Sequence, residues 1–387
     1  MNFTSWKFAF FFLPVFGIYW ALPTRTSRHV FLLLASYLFY MAWNPWLVTI
    51  LIGLTVADYF VAIALSRTDD PRRRKLLLLA TLVSNLGMLA VFKYTNFFIS
   101  SFQDLLGTFG VNAHLSTLSI ILPVGISFHT FQTLSYTIDV YRRETPATRS
   151  FIDFALFVAF FPQLVAGPIV KAREFLPQLE TIKRFSWQRI DAGLLLCMFG
   201  LTKKLLIADN LATVVDPVFA DPAAFSTRDL WLAMFCYGGQ IYGDFSGYTD
   251  IAIGIACMMG FDFCPNFASP YLAVNLSDFW RRWHISLSTW LSDYLYIPLG
   301  GSRGGRLLTA RNLMITMLLG GLWHGASWTF VIWGAIHGGA LVVAFAWRTA
   351  RQVRAGQTGR LETCRTPHRL ETGATGRSVR LCASWAC

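Results

Sequence analysis

The sequence has 387 residues, of which 55% are hydrophobic and only 14% are charged. A soluble globular domain carries about 25% charged residues, so this composition excludes an ordinary soluble protein and indicates a membrane protein. The formal net charge of +12 does not indicate nucleic-acid binding. The basic residues form short clusters between apolar runs, as they do in the cytoplasmic loops of membrane proteins.

Apolar runs recur along the chain, and several reach the roughly 17–25 residues that a helix needs to cross a bilayer. The clearest runs are 8–22, 30–43, 47–65, 76–92, 190–208 and 230–260. Further runs follow the first without a small-residue cleavage site, so we expect an uncleaved first helix and not a signal peptide. Basic clusters follow the first and third runs, which places the N-terminus outside if these loops are cytoplasmic. The sequence therefore predicts an all-α, polytopic integral membrane protein.

The apolar segment 151–170 has basic residues after it and before it, yet a segment of this length cannot cross a bilayer twice. Pro162, Gly167 and Pro168 interrupt it. We expect it to enter the membrane and return to the same side, which requires a backbone buried in protein or lining a wet cavity. An ordinary span with a misleading charge bias is the alternative.

The apolar run 230–260 is interrupted by the polar stretch YGGQIYGDFSGYTD, which places Asp244 and Asp250 at membrane depth. Carboxylates at membrane depth are costly and are functional candidates by default. Equally, the glycines permit close helix packing, with the two acids paired to basic neighbours. The sequence leaves both interpretations open.

Two later segments also have unusual patterns. Residues 277–305 are amphipathic, basic and rich in Trp and Tyr, which suits the membrane–water interface. They include His284 and end in a GGSRGG turn that needs no ligand. Residues 312–347 are apolar but too short for two full spans, which need about 40 residues. We therefore expect short tilted helices or a broken pair there.

His324 lies well inside this last stretch, in the sequence GLWHGASW, so its short side chain cannot reach the membrane surface. Three interpretations compete. In the first, His324 is a buried core residue that forms a hydrogen bond with a neighbouring helix. In the second it binds a metal ion, but no His or Cys partner stands at ligand spacing. In the third it is a desolvated, neutral general base. His337 would lie about 20 Å away on one continuous helix and is predicted to be structural.

Long motifs in the chain resemble the membrane-bound O-acyltransferase family. The segments DFWRRWHISLSTWLSDYLYIPLGGSR and GLWHGASWTFVIWGAIHG carry the resemblance most strongly, and FFPQLVAGPIVKAREFLPQL and QIYGDFSGYTDIAIGIACMMGF extend it. It reaches to about residue 347, and the bacterial branch that O-acetylates exopolysaccharides such as alginate is nearest. A chance match to motifs this long and irregular is improbable.

The resemblance implies a ring of transmembrane and re-entrant helices around a central tunnel, in the bacterial inner membrane. It places the near-invariant family histidine on His324 and a second polar position on His284, as catalytic residues. No bound cofactor or metal is implied. An acyl thioester, acetyl-CoA or a carrier-linked form, is the substrate, and a periplasmic acetyltransferase and an exopolysaccharide are the expected partners. The remaining candidates for the tunnel wall or second shell are Asp244, Tyr248, Asp250 and Trp323.

The chain departs from the family after residue 347. Residues 348–387 carry eight Arg and three of the seven Cys without apolar periodicity, whereas family members usually continue into further membrane helices. We therefore expect a domain over 1–347 that is incomplete at its C-terminal end, followed by an aberrant, frame-shifted or disordered basic tail. The alternatives in function are D-alanyl or other acyl transfer to a cell-envelope polymer, or a non-enzymatic transporter or scaffold.

Overall fold

The computed structural model describes residues 2–111, 116–118, 123, 125–164 and 167–354. Regular structure in this part of the chain is helical, without a strand, so the all-α prediction is confirmed. The helices are α1 Trp6–Ala21, α2 Arg25–Met41, α3 Leu47–Arg67, α4 Pro71–Leu89, α5 Thr95–Thr108, α6 Ile126–Arg142, α7 Phe151–Ala159, α8 Phe161–Leu164, α9 Ala172–Leu179, α10 Trp187–Leu201, α11 Asp209–Ala220, α12 Thr227–Met258, α13 Leu276–Arg282, α14 Ile285–Leu291, α15 Arg306–His324 and α16 Trp328–Arg354. Within the described residues, the π-helical turns Ala90–Tyr94 and Thr202–Ala208 join α4 to α5 and α10 to α11, and a third, Ser292–Tyr296, extends α14 at its C-terminal end.

The chain divides into two compact units, Met1–Phe345 and Ala346–Cys387. The first contains the predicted site and is the one described below. The predicted aberrant tail lies outside the described residues from residue 355 onward. Three helical stretches among the described residues are long and apolar enough to cross a membrane: Leu47–Arg67, Pro71–Thr108 and Trp328–Arg351.

Local signals in the sequence explain where many helices begin. Ser5 and Thr24 precede α1 and α2, and their side chains accept hydrogen bonds from backbone N–H groups of the first turn. Ser226 and Asp229 form a reciprocal capping box at the start of α12. These side chains satisfy N–H groups that have no partner within the helix.

The segment 151–170 lies in the core and is interrupted, as predicted. It consists of the short helices α7 and α8 and an extended stretch from Gly167 onward, and its described residues are nearly all buried. A side chain at Gly167 would place Cβ 2.5 Å from Gln163 Cα, so only glycine fits there. Its proposed re-entry into a membrane stays a prediction.

The apolar run 230–260 forms most of α12, which continues for 32 residues through the polar stretch YGGQIYGDFSGYTD. Its glycines face α10: a Cβ on Gly254 would lie 2.5 Å from the Gly193 carbonyl oxygen, and one on Gly247 would lie 2.6 Å from that of Gly200. The close packing of the two helices compensates for the helix-forming cost of glycine, about 1 kcal/mol each. The helix-packing interpretation of this stretch therefore holds.

Helices α15 and α16 form the predicted broken pair, separated by residues 325–327. Glycines again allow close contact, because a Cβ on Gly334 would lie 2.5 Å from the Met317 carbonyl oxygen. The break follows His324 directly, so the end of α15 and the start of α16 meet beside this side chain.

Candidate active site

His284 lies at the junction of α13 and α14. Arg282 pairs with Asp278 at 3.0 Å and steadies α13, after which the chain turns sharply and α14 begins. His284 makes this turn with φ 44°, a left-handed conformation that a residue with a side chain adopts only when its surroundings enforce it. Its side chain is only 1% exposed.

A buried hydrogen-bond network holds His284. Asn266 Oδ1 lies 3.1 Å from His284 Nδ1 and accepts hydrogen bonds from the backbone N–H and the hydroxyl of Ser286, at 3.1 and 2.9 Å. The Ser286 hydroxyl in turn accepts from the backbone N–H of Ile169, at 3.0 Å. The network therefore connects the extended part of segment 151–170 to the histidine.

His324 is the last residue of α15, and its ring centroid lies 6.4 Å from that of His284. His324 has exposed surface, although the rings of Trp323 and Trp333 lie at 5.1 and 5.3 Å from its own, and its desolvation in the membrane stays a prediction. The helix ends here, with Gly325 as its C-cap, and the imidazole contacts Trp333 of α16 as well as Trp323 of its own helix. The two histidines thus form a pair in which His284 is buried and His324 has exposed surface.

Trp323 lies on the buried side of the pair. It is 7% exposed, its ring lies 6.1 Å from that of His284, and it stacks on Phe131 at 5.2 Å. Phe131 also stacks on Trp290 at 3.6 Å, so Trp323 joins α6, α14 and α15 in one aromatic cluster. This position behind both histidines agrees with its assignment as a supporting residue, which remains a prediction.

Lys93 and Tyr94 were missed by the sequence analysis. They lie on the π-helical turn between α4 and α5, and both donate hydrogen bonds to the C-terminal end of α15: Lys93 Nζ to the Trp323 carbonyl, and Tyr94 Oη to the Leu322 carbonyl at 2.8 Å. The last carbonyls of a helix lack partners within it, and a cation there is favourable for the helix dipole. The signal in the sequence was a lysine directly after the apolar run 76–92. The π-helical turn, which often marks a functional site, is visible in the structure alone.

Asp244, Tyr248 and Asp250 lie on α12 but do not contact either histidine among the described contacts. Asp244 pairs with Lys204 Nζ at 2.6 Å and Asp250 with Lys203 Nζ at 2.5 Å. Tyr248 stacks on Phe3 at 4.7 Å. These pairings match the packing interpretation of the acids.

Phe245 is the α12 residue that reaches the site, with its ring 4.7 Å from that of His284. Helix α12 therefore contributes an apolar wall to the buried histidine through a residue that the sequence analysis did not select.

His337 is nearer to the site than the sequence analysis supposed. The estimate of 20 Å assumed one continuous helix, but the chain breaks between α15 and α16. His324 and His337 both contact the ring of Trp333, at 5.3 and 4.6 Å, and His337 also contacts Trp280 at 5.3 Å. His337 thus belongs to an aromatic group on one side of His324.

The donor set at the site consists of imidazole, indole and amide groups. Within the described residues no group of three or more His, Cys, Asp or Glu side chains could hold a metal ion. Two imidazoles beside the buried Trp323 indole and Asn266 amide, which both carry N–H donors, suit proton transfer and stabilisation of a developing negative charge.

A model of the membrane-bound O-acyltransferase family matches residues 80–361, well over half of the chain. The chain belongs to the membrane-bound O-acyltransferase family. The predicted family and the all-α membrane fold class are confirmed, and homology to known acetyltransferases identifies the chain as an O-acyltransferase.

Curated relatives extend this family assignment. The chain is 46% identical to a probable alginate O-acetylase of Azotobacter vinelandii, over 90% of this chain and 69% of the relative. It is 41% identical to a peptidoglycan O-acetyltransferase of Helicobacter pylori, over 89% and 70%. Similarity to a teichoic acid D-alanyltransferase of Streptococcus thermophilus is lower, at 26% identity over 60% and 59%. The chain spans 65–70% of the length of the alginate and peptidoglycan relatives.

Proposed function

We propose that this chain transfers an acetyl group from a cytoplasmic thioester toward hydroxyl groups of an exported, alginate-like polysaccharide, either directly or through a periplasmic acetyltransferase. The observation that carries the proposal is the pair of imidazoles, 6.4 Å apart and one of them exposed, in a chain 46% identical to a probable alginate O-acetylase. Acetyl-CoA or a carrier-linked thioester is the donor.

The reaction joins an acceptor hydroxyl to the thioester carbonyl. The hydroxyl oxygen forms a bond to the carbonyl carbon while His324 accepts the hydroxyl proton as general base. The tetrahedral oxyanion then collapses, the carbon–sulfur bond breaks, and the thiolate leaves with the proton that His324 held. His324 suits this role because its side chain has exposed surface.

His284 supports the same reaction from the buried side. It has two candidate roles, which are to orient the reactants as a hydrogen-bond acceptor or to stabilise the oxyanion as a donor. Only the second role requires a hydrogen on Nε2.

We further propose a multi-pass topology in the bacterial inner membrane, with a tunnel that lets the acyl group pass from a cytoplasmic donor to the outer side. The long apolar helices and the buried, interrupted segment 151–170 support this arrangement. Asp244, Tyr248, Asp250 and Trp323 remain candidates for the tunnel wall or for support of the histidines.

Peptidoglycan is the second candidate acceptor, because the Helicobacter pylori relative is similar over nearly as much of this chain as the alginate acetylases are. The D-alanyl transfer of teichoic acid is less favoured, since identity to that relative is only 26%. Measuring the acetyl content of exopolysaccharide and of peptidoglycan in the same cells distinguishes the two acceptors.

The test compares the unmutated chain with His324→Ala in cells that lack the endogenous gene, with acetyl incorporation into each polymer as the readout. His29→Ala is the control for loss of an imidazole away from the site, because His29 pairs with Asp153 and contacts neither His284 nor His324 among the described contacts. Blotting of membrane fractions establishes that the three proteins are present in equal amounts.

Loss of acetylation in His324→Ala alone supports the proposal. Equal acetylation in His324→Ala and the unmutated chain overturns the general-base role. If all three proteins are inactive while a chain of the relatives' full length restores acetylation, the proposal that this chain suffices for transfer is overturned.

A further inference from the structure

Asn266 is a buried amide between α12 and α13, and its side chain is 1% exposed. Three groups surround its Oδ1: His284 Nδ1 at 3.1 Å, the Ser286 backbone nitrogen at 3.1 Å and the Ser286 hydroxyl at 2.9 Å. A single atom therefore connects Asn266 to the histidine and to the first turn of α14.

The partners of Oδ1 identify the hydrogen on His284. A backbone N–H can only donate, so the amide atom facing Ser286 is the oxygen, which can only accept. His284 Nδ1 must then donate to it. A neutral imidazole with its hydrogen on Nδ1 has a lone pair on Nε2, and no described residue forms a hydrogen bond with Nε2.

The surroundings of His284 favour this neutral form. Its ring contacts are Phe245, Trp323 and His324, and none of these supplies a negative charge. A buried imidazolium without a carboxylate partner would be strongly disfavoured. Nδ1 is therefore the ring nitrogen that carries the hydrogen, and Nε2 is an acceptor.

We propose that Asn266 is a positioning residue that holds His284 with its hydrogen on Nδ1, so that Nε2 accepts a hydrogen bond during acyl transfer; this role rests on the proposed function. His284 then orients a hydroxyl or the His324 ring as an acceptor and does not donate to the oxyanion. Donation falls to other groups, and the buried Asn266 Nδ2 and Trp323 Nε1 have no partner among the described residues.

Nitrogen-15 NMR of the full chain, labelled at histidine and reconstituted in lipid, reads the tautomer without any assay of activity. The His284 signals are assigned by their disappearance in His284→Gln. We expect Nδ1 of the unmutated chain to be protonated and Nε2 to be bare. In Asn266→Ala the acceptor for Nδ1 is gone, and we expect a mixture of tautomers or the opposite one.

Two further variants separate tautomer control from general packing. Ser286→Ala removes the hydroxyl but keeps the backbone N–H and the Asn266–His284 contact, so the tautomer should be unchanged. Asn266→Asp keeps an oxygen facing Nδ1 and should retain the hydrogen there. A bare Nδ1 in the unmutated chain, or a protonated Nδ1 in Asn266→Ala to the same extent as in the unmutated chain, would overturn the proposal.

Kinetics then connect the tautomer to transfer. We expect Asn266→Ala to lower kcat roughly fivefold with little change in KM, since it removes a bond worth about 1 kcal/mol at the reacting group, and Ser286→Ala to have a smaller effect. Equal losses in the two variants would contradict the positioning role. A chain with the expected tautomer but no acyl transfer would overturn the proposed function and leave the Asn266–His284 assignment intact.

Discussion

Tyr94 donates to the Leu322 carbonyl at 2.8 Å, two residues before His324. Replacing it with phenylalanine removes this single hydrogen bond and leaves a carbonyl at the end of α15 without its donor. A neutral hydrogen bond of this kind contributes about 1 kcal/mol. If the bond holds the end of α15, and with it the imidazole, in the reacting position, the loss reduces the rate of the chemical step.

Since about 1.4 kcal/mol corresponds to a tenfold change in rate, we predict that Tyr94→Phe lowers kcat roughly fivefold with KM for the acyl donor unchanged. Lys93→Met should have a larger effect, because hydrogen bonds from charged groups contribute about 1.5–3 kcal/mol. The assay is the initial rate of acetyl transfer from a labelled thioester in membrane vesicles, at several donor concentrations.

Tyr19→Phe is the matched control. Tyr19 also donates from its hydroxyl to a backbone carbonyl, that of Met259 at 3.0 Å, but in the hydrophobic core and not at the end of α15. Its loss should lower thermal stability as Tyr94→Phe does while leaving kcat unchanged. Equal effects of the two variants on kcat, or no effect of Tyr94→Phe, would refute the positioning of His324 by this turn.

Two further predictions concern the helices that support the site. Gly254→Ala should lower the melting temperature by several degrees, because its Cβ would lie 2.5 Å from the Gly193 carbonyl oxygen and overpacking costs about 1–3 kcal/mol. Gly238→Ala on the same helix is the control: it has room for a Cβ and should be neutral or slightly stabilising. Equal melting temperatures of the two variants would contradict the close contact between α10 and α12. The Arg282 guanidinium hydrogen-bonded to Asp278 holds the pKa of that carboxyl below its usual range, so the ionised form stabilises the fold at neutral pH and this stability is lost as the pH falls through the lowered pKa. Asp278→Asn should therefore melt at a lower temperature than the unmutated chain near pH 7, with the difference shrinking below about pH 4; a difference independent of pH would contradict the ion pair.

The positions of most helices were predictable because their causes are local. Apolar runs and capping side chains act within a few residues of one another, so the approximate positions of helices such as α1 and α3, and a broken pair as one of two options for 312–347, follow from the sequence. The role of the polar stretch in α12 did not follow from the sequence, because its acids and glycines fit both a functional site and close helix packing. The partner helix α10, which approaches Gly247 and Gly254 at backbone distance, favours close packing.

The two histidines were predictable from motifs, but their surroundings were not. Lys93 bonds to a carbonyl 230 residues away in sequence, and Asn266, in the loop between α12 and α13, precedes its hydrogen-bond partner His284 by 18 residues. No spacing rule links such positions, because the chain between them could fold in many ways.

The sequence by itself determined the class of this protein: an all-α membrane protein of the O-acyltransferase family, with His284 and His324 as its principal candidates. Only the tertiary structure decided that His284 is buried and His324 exposed, and that Asn266 and Lys93 stand beside them. The physical reason is that helix formation depends on near neighbours along the chain, whereas burial and hydrogen bonding of a side chain depend on which distant segments pack against it.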